Sequence, residues 1–138
     1  MTDAYAVHFT FSIPDPEKTV LALDRAVKGK WGTASIARFR ALHGTALNQV
    51  GDTEAAVKEL AEAVRSGERS TWVYEGLGLA QMNLGKPKDA AKSLEEAARI
   101  REKNGTGFDR FWMEVLVEAL VAAGRKADAA AWSKKAGL

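Results

Sequence analysis

Two histidines are the side chains in this sequence best suited to acid–base or metal chemistry, and they lie far apart in the chain. A zinc hydrolase would place two histidines on one helix face, as in His-x-x-x-His or His-Glu-x-x-His, and His8 and His43 form neither pattern. The chain contains no cysteine, which excludes thiolate zinc sites, iron–sulfur clusters, disulfides and cysteine nucleophiles. We therefore expect no metal site.

Closely spaced glycines are the next candidates, because a glycine-rich loop can cradle phosphate groups. Neither Gly-x-x-x-x-Gly-Lys-Ser/Thr nor Gly-x-Gly-x-x-Gly occurs in the sequence. Gly76 and Gly78 lie within a helical stretch, where they permit close packing. Several acids have the spacing of solvated helix surfaces: Glu95, Glu96, Glu114 and Glu118. We therefore expect no cofactor and no enzymatic activity.

Net charge and hydropathy point to neither nucleic acid nor membrane. The chain has 138 residues, with 20 Lys and Arg against 18 Asp and Glu, and the cations are interspersed with acids instead of forming the basic stripe that phosphate binding needs. No uncharged apolar run approaches the roughly 20 residues that a bilayer span requires. The first eight residues lack the basic start of a secretory signal. These features predict a soluble, cytoplasmic protein.

Three segments of the sequence repeat one form, which is a helical stretch, a turn at a glycine and an alanine-rich amphipathic stretch. The turn glycines are Gly51, Gly85 and Gly124, with spacings of 34 and 39 residues. A period of 34 is that of a helix–turn–helix repeat. We expect the five extra residues to lengthen the connection at 104–107, with Asp109 as the N-cap of the next helix.

On these residues the chain resembles the tetratricopeptide repeat family. The second segment matches the family pattern best, through Tyr74, Leu77, Gly78, Ala90, Leu94 and Ala97. The third is weaker, since Val117 replaces the glycine and Ser133 the large apolar residue. The resemblance implies an all-α fold, a right-handed α-solenoid of about three helical hairpins. It also places His43 at a core-facing position, which favours a packing or hydrogen-bonding role.

The sequence divides into an extended arm, 1–14, and a helical repeat domain, 15–138. Asp15 and Pro16 form a helix start, and a preceding helix is expected before the three repeats. Apolar residues alternate strictly from Tyr5 to Ile13, which is typical of an extended strand. This arm could lie on the helices with its apolar side down, fill the solenoid's own groove, or pair with another chain.

The first helices of successive repeats line the concave face of such a solenoid, so the resemblance predicts a partner-binding groove there. Its residues are Arg38, Leu42, Thr45, Asn48, Trp72, Glu75, Leu79, Met82, Asn83, Phe111, Glu114, Val115 and Glu118. Some family members grip a carboxyl terminus of a chaperone with lysine, asparagine and arginine. The corresponding positions here cannot donate charge-assisted hydrogen bonds: Ala41, Thr45, Gly76, Phe111 and Val115. Carboxylate-clamp binding is therefore excluded.

These observations lead to two hypotheses about function. The first is a non-catalytic adaptor or scaffold that binds a peptide or partner protein in the concave groove. The alternative is a structural module that assembles with copies of itself. Self-assembly would use the arm, through Phe9, Phe11 and Ile13, or an uncovered apolar face of the last helix around Trp132.

Overall fold

The computed structural model describes residues 14–27 and 33–138. Within them the chain forms seven α-helices and no strand. They are α1 (Pro16–Val27), α2 (Thr33–Gln49), α3 (Thr53–Arg65), α4 (Thr71–Asn83), α5 (Pro87–Asn104), α6 (Arg110–Ala122) and α7 (Lys126–Ala136). The predicted arm from Tyr5 to Ile13 lies outside the described residues.

The helices pack as three antiparallel hairpins, α2/α3, α4/α5 and α6/α7, with α1 against α2. Each hairpin also contacts the next one, through α3 with α4 and α5 with α6. This arrangement confirms the predicted all-α solenoid of helix–turn–helix units.

Each hairpin turns at a glycine in the left-handed region of φ. The φ angles are +90° at Gly51, +70° at Gly85 and +79° at Gly124, a conformation that residues with a Cβ rarely adopt. Hydrogen bonds close the turns in the same way. The residue after the glycine donates its N–H to the carbonyl five residues earlier, at 2.9, 2.9 and 2.8 Å. The repeat read from these three glycines is therefore present in the backbone.

Close packing within a hairpin depends on two glycines inside helices. An added Cβ at Gly78 would lie 2.5 Å from Cγ of Leu94, and one at Gly44 would lie 2.7 Å from Cγ of Leu60. Both leucines are buried in the core. A side chain at either glycine would therefore push the two helices of its hairpin apart.

The five extra residues of the second repeat lengthen a helix, and the prediction of a longer connection is wrong. α5 has 18 residues where α3 has 13, whereas five residues follow each of these helices before the next begins. Residues 100–103 contain no helix breaker, so α5 continues until Gly105, whose φ of +65° ends it. Asp109 caps α6 as predicted, because its Oδ1 accepts the N–H of Trp112 at 3.3 Å.

Candidate functional site

The first helices of the hairpins lie closer together than the second helices. Cα atoms of α2 and α4, and of α4 and α6, approach within 8 Å, whereas no such approach joins α3 with α5 or α5 with α7. A stack in which one set of helices is crowded and the other is spread curves toward the crowded side. The concave side is therefore built by α2, α4 and α6.

Eight predicted groove residues are exposed or half-buried. They are Arg38, Leu42, Trp72, Met82, Asn83, Phe111, Glu114 and Glu118, and we call this set the concave surface. Four of them carry large apolar side chains, and the charged members lie on the first and last of the three helices. The arrangement offers apolar contacts in the middle and a different sign of charge toward each end.

The charged members have neighbours on their own or an adjacent helix. The guanidinium of Arg38 lies 3.8 Å from the carboxylate of Glu68 and stays 72% exposed. Glu114 accepts a hydrogen bond from Arg110 at 2.8 Å, one turn away on α6. The side chains of Arg38 and Glu114 are each more than half exposed. Ion pairs with such exposed members contribute little to stability, so both charges can pair with a partner protein instead.

Five predicted groove residues lie beneath this surface instead: Thr45, Asn48, Glu75, Leu79 and Val115 are all buried. Leu79 and Val115 belong to the main apolar core. Thr45 donates its hydroxyl to the carbonyl of Ala41 at 2.8 Å. The repeat register does not determine the burial of a side chain, and these five residues are buried instead of lining an open groove.

Asn48 is 2% exposed, and the two polar atoms of its carboxamide have no hydrogen-bond partner among the described residues. Nδ2 of Asn83, on the next helix of the same side, is likewise buried with no partner in the described part of the chain. The two amides lie on α2 and α4, two of the helices that build the concave side.

Glu75 lies in a buried ion pair, where the sequence placed it in the groove. Its carboxylate, on a residue 1% exposed, receives two hydrogen bonds from Arg101 at 2.9 and 3.2 Å. Arg101 stands on the part of α5 that the first repeat lacks. The bidentate geometry satisfies both carboxylate oxygens. Glu75 therefore joins α4 to the end of α5.

Glu95 is likewise buried, which corrects the expectation of a solvated acid. It accepts hydrogen bonds from Arg125 at 3.1 Å and from the indole N–H of Trp132 at 3.0 Å. Glu95 and Asp128 raise the pKa of Arg125 above its ordinary value, chiefly because both carboxylates accept hydrogen bonds from its guanidinium. This cluster joins the second hairpin to the third. Sequence spacing did not reveal it, because its members come from two separate segments, α5 and the stretch that begins at Arg125 and continues into α7.

Trp132 is a core residue and does not form an uncovered apolar face. It is 7% exposed, its ring meets Phe108 edge-on at 6.1 Å, and the ammonium of Lys135 lies 4.7 Å above it. The exposed positions of α7 are occupied by alanine, lysine and aspartate. The last helix therefore lacks the surface on which the self-assembly hypothesis relied. Phe9, Phe11 and Ile13 lie outside the described residues.

His43 occupies a buried position beside an acid. Its Nδ1 lies 3.2 Å from Oε2 of Glu59, but the two atoms are not aligned as a hydrogen bond. Arg40 pairs with the other oxygen of that carboxylate at 3.1 Å.

Among the described residues, no group of three or more His, Cys, Asp or Glu side chains could hold a metal ion. No described helix has both the length and the apolar character to cross a membrane.

Comparison with known proteins identifies the fold. No family model matches the chain, and no curated protein sequence matches it. Two solved structures of MamA, a protein with the tetratricopeptide-repeat fold, superpose with a TM-score of 0.71 at 24% sequence identity. The match covers 88% of this chain but only 66% and 62% of the two MamA chains. The chain thus shares the helical repeat architecture over less than two thirds of their length.

Proposed function

We propose that the chain is a non-catalytic protein-interaction module whose concave surface binds a peptide or an exposed segment of a partner protein. The observation that carries this proposal is that three adjacent helices of the concave side each carry large half-buried apolar side chains, which are Leu42, Trp72, Met82 and Phe111. Large apolar and aromatic groups of this kind are the usual anchors of protein interfaces.

The charges at the two ends define the partner further. Arg38 lies at the α2 end, and Glu114 and Glu118 lie at the α6 end. Complementary charges steer association and fix orientation more than they add affinity. The best-fitting ligand is therefore an apolar or amphipathic segment with a basic end that lies against α6.

The test uses peptides that are selected from a random display library for binding to the full-length protein. Replacement of Met82 and Phe111 by serine should weaken binding of the selected peptides at least about tenfold, because truncating interface anchors costs more than 1 kcal/mol each. Leu21→Ser is the matched control, since Leu21 is 68% exposed on α1, away from α4 and α6. Leu79 is unsuitable for such a test because it is fully buried.

Circular dichroism and thermal unfolding must show that the variants remain folded. Amide shift mapping of the unmodified protein gives a second readout that needs no substitution. Peptides that bind the double variant as well as the parent, or that shift amides only outside α2, α4 and α6, would reject the concave surface.

Self-assembly through the arm is the second candidate, favoured by the strict alternation of apolar residues from Tyr5 to Ile13. We expect the full chain to be oligomeric and a version that starts at Asp15 to be monomeric, as measured by light scattering over a range of concentrations. Equal masses for the two versions would count against the arm as an assembly element.

A further inference from the structure

A second groove lies on the convex side, between α3 and α5, and the concave-surface proposal does not use it. The two helices do not approach each other within 8 Å, and α4 forms the floor between them. A hollow of about 320 Å³ is lined there by Ala61, Val64, Tyr74, Leu77, Lys92, Ser93 and Glu96. A second hollow of about 230 Å³, near the start of α3, is lined by Glu54, Val57, Lys58, Leu84 and Lys86.

The inner lining of both hollows is largely apolar. Val64 and Leu77 belong to the core cluster of the first two hairpins or pack against it, and Val57 and Leu84 are half-buried in the second hollow. The apolar lining residues of the two hollows are aliphatic apart from Tyr74. They suit the apolar side chains of a protein segment.

The rim of the groove carries an excess of unpaired cations. Lys58, Lys86 and Lys92 line the hollows, and Lys88 lies one helical turn before Lys92 on α5. All four are exposed, and none forms an ion pair within the described part of the chain. Unpaired charges grouped at one groove favour a ligand of opposite sign.

Two acids also line the groove, and they do not cancel this excess. Glu96 lies 3.6 Å from Nη1 of Arg99, which partly neutralises it. Glu54 is exposed at the start of α3, where an acid interacts favourably with the helix dipole. Asp89 is exposed in the first turn of α5. None of these three acids forms an ion pair with any of the four lysines in the described part of the chain.

Tyr74 adds a hydrogen-bond donor to the larger hollow. Burial, and secondarily the charge of Glu96, raises the pKa of its phenol. A tyrosine hydroxyl is protonated at neutral pH even at its ordinary pKa of about 10, so the Tyr74 hydroxyl can donate to a carboxylate. Lysine, tyrosine and aliphatic side chains together match a segment that carries carboxylates beside apolar groups.

We propose that the groove between α3 and α5 is a second docking surface, which binds an acidic amphipathic segment of a partner protein. Apolar side chains of the segment fill the two hollows, and its carboxylates pair with Lys58, Lys86 and Lys92. A module with both surfaces holds two partners on opposite sides of one solenoid, whereas the concave surface alone holds one.

The test uses a short synthetic peptide of leucine and glutamate at helical spacing, a matched peptide with lysine in place of every glutamate, and an oligothymidylate of equal charge. We expect the glutamate peptide to bind the full chain, to shift amides of α3 and α5, and to bind more weakly as salt is raised. Lys58→Glu with Lys92→Glu should lower its affinity about tenfold or more, since two attractions become repulsions.

The control variant is Lys126→Glu with Lys134→Glu. It makes the same change in net charge on α7, at exposed lysines with no ion pair in the described part of the chain, and it should bind as the parent does. A Lys58→Gln, Lys92→Gln variant, which adds no repulsion, should show a smaller loss than the glutamate variant.

Three results would overturn the proposal. They are equal binding of the lysine peptide, tighter binding of the oligothymidylate, and amide shifts confined to α2, α4 and α6. The concave-surface proposal is tested with different peptides and with the Met82 and Phe111 variants, so either proposal can be rejected while the other stands.

Discussion

Replacement of Gly78 by alanine tests directly whether the second hairpin is as tightly closed as the structure shows. The added Cβ would lie 2.5 Å from Cγ, 2.8 Å from Cδ2 and 3.3 Å from Cδ1 of Leu94. Leu94 is 2% exposed, so it cannot turn away into solvent. Two of its atoms would lie under 3.0 Å from the new Cβ and one of these is the branch carbon Cγ, so we expect the two helices to separate.

The expected magnitude combines two opposed effects. Overpacking of a filled core costs about 1–3 kcal/mol, and this clash falls at the upper end because Cγ, not a terminal methyl, is closest. Alanine in place of glycine inside a helix contributes about 1 kcal/mol in the other direction. The net expectation is a loss of about 1–2 kcal/mol in the free energy of unfolding, or about 3–6 °C in Tm.

Gly76 in the same helix supplies the matched control. A Cβ at that position meets only Cδ1 of Leu60, at 3.7 Å, which is ordinary contact. Gly76→Ala therefore keeps the helix-propensity gain without a clash and should raise stability by about 0.5–1 kcal/mol. Each alanine variant differs from the parent chain by one methyl group, and the free energy of unfolding should rise for Gly76→Ala and fall for Gly78→Ala.

Urea and thermal unfolding followed by circular dichroism measure both changes. A double-mutant cycle with Leu94→Ala identifies the cause, because the smaller residue removes the clash and the combined loss should be less than the sum of the single losses. A Gly78→Ala variant as stable as Gly76→Ala, or strictly additive losses in the cycle, would refute the close contact of α4 and α5 at this point.

Three further substitutions test the buried polar groups and a cap by urea unfolding. Glu75→Gln should cost about 3–5 kcal/mol, because it leaves the guanidinium of Arg101 without its buried counterion; a loss under 1 kcal/mol would show that water solvates this pair. Trp132→Phe should cost about 1–3 kcal/mol, since the carboxylate of Glu95 loses a donor while the aromatic packing is kept; an unchanged midpoint would contradict the hydrogen bond. Asp109→Ala should cost about 1 kcal/mol and Asp109→Asn much less, because the amide oxygen can still cap α6.

The sequence contains enough information to predict the helical hairpins, but not which side chains on each helix are buried. Glycines at equal positions fix the turns, because only residues without a Cβ adopt the required φ at no cost, so Gly51, Gly85 and Gly124 identify the repeat. Helical periodicity then assigns a face to each residue. Periodicity cannot determine which residues of that face are covered by neighbouring helices. Leu79 and Glu75 are buried, although the sequence predicts them in the partner-binding groove.

The polar clusters were beyond sequence reasoning for a different reason. Glu95 and Glu96 are adjacent acids in one helix, yet only Glu95 faces Arg125, which is 30 residues away. Such a pairing depends on how two hairpins dock, which local spacing does not encode. The extension of α5 does have a local signal, since residues 100–103 contain no helix breaker. Gly105 and Gly107 follow directly, however, and closely spaced glycines are typical of a loop.

The core formed by the described residues is divided into two clusters of unequal size, and this division has a consequence for how the molecule opens. The larger cluster spans α4 to α7 and is reinforced by the Glu95 network, whereas the smaller one joins α2, α3 and α4. In a repeat array each unit gains stability only from its neighbours. Transient opening should therefore begin at the end formed by α1 to α3 and stop at α4, which leaves the last two hairpins as one cooperative unit. A partner that spans α2, α4 and α6 would join both parts and suppress that opening.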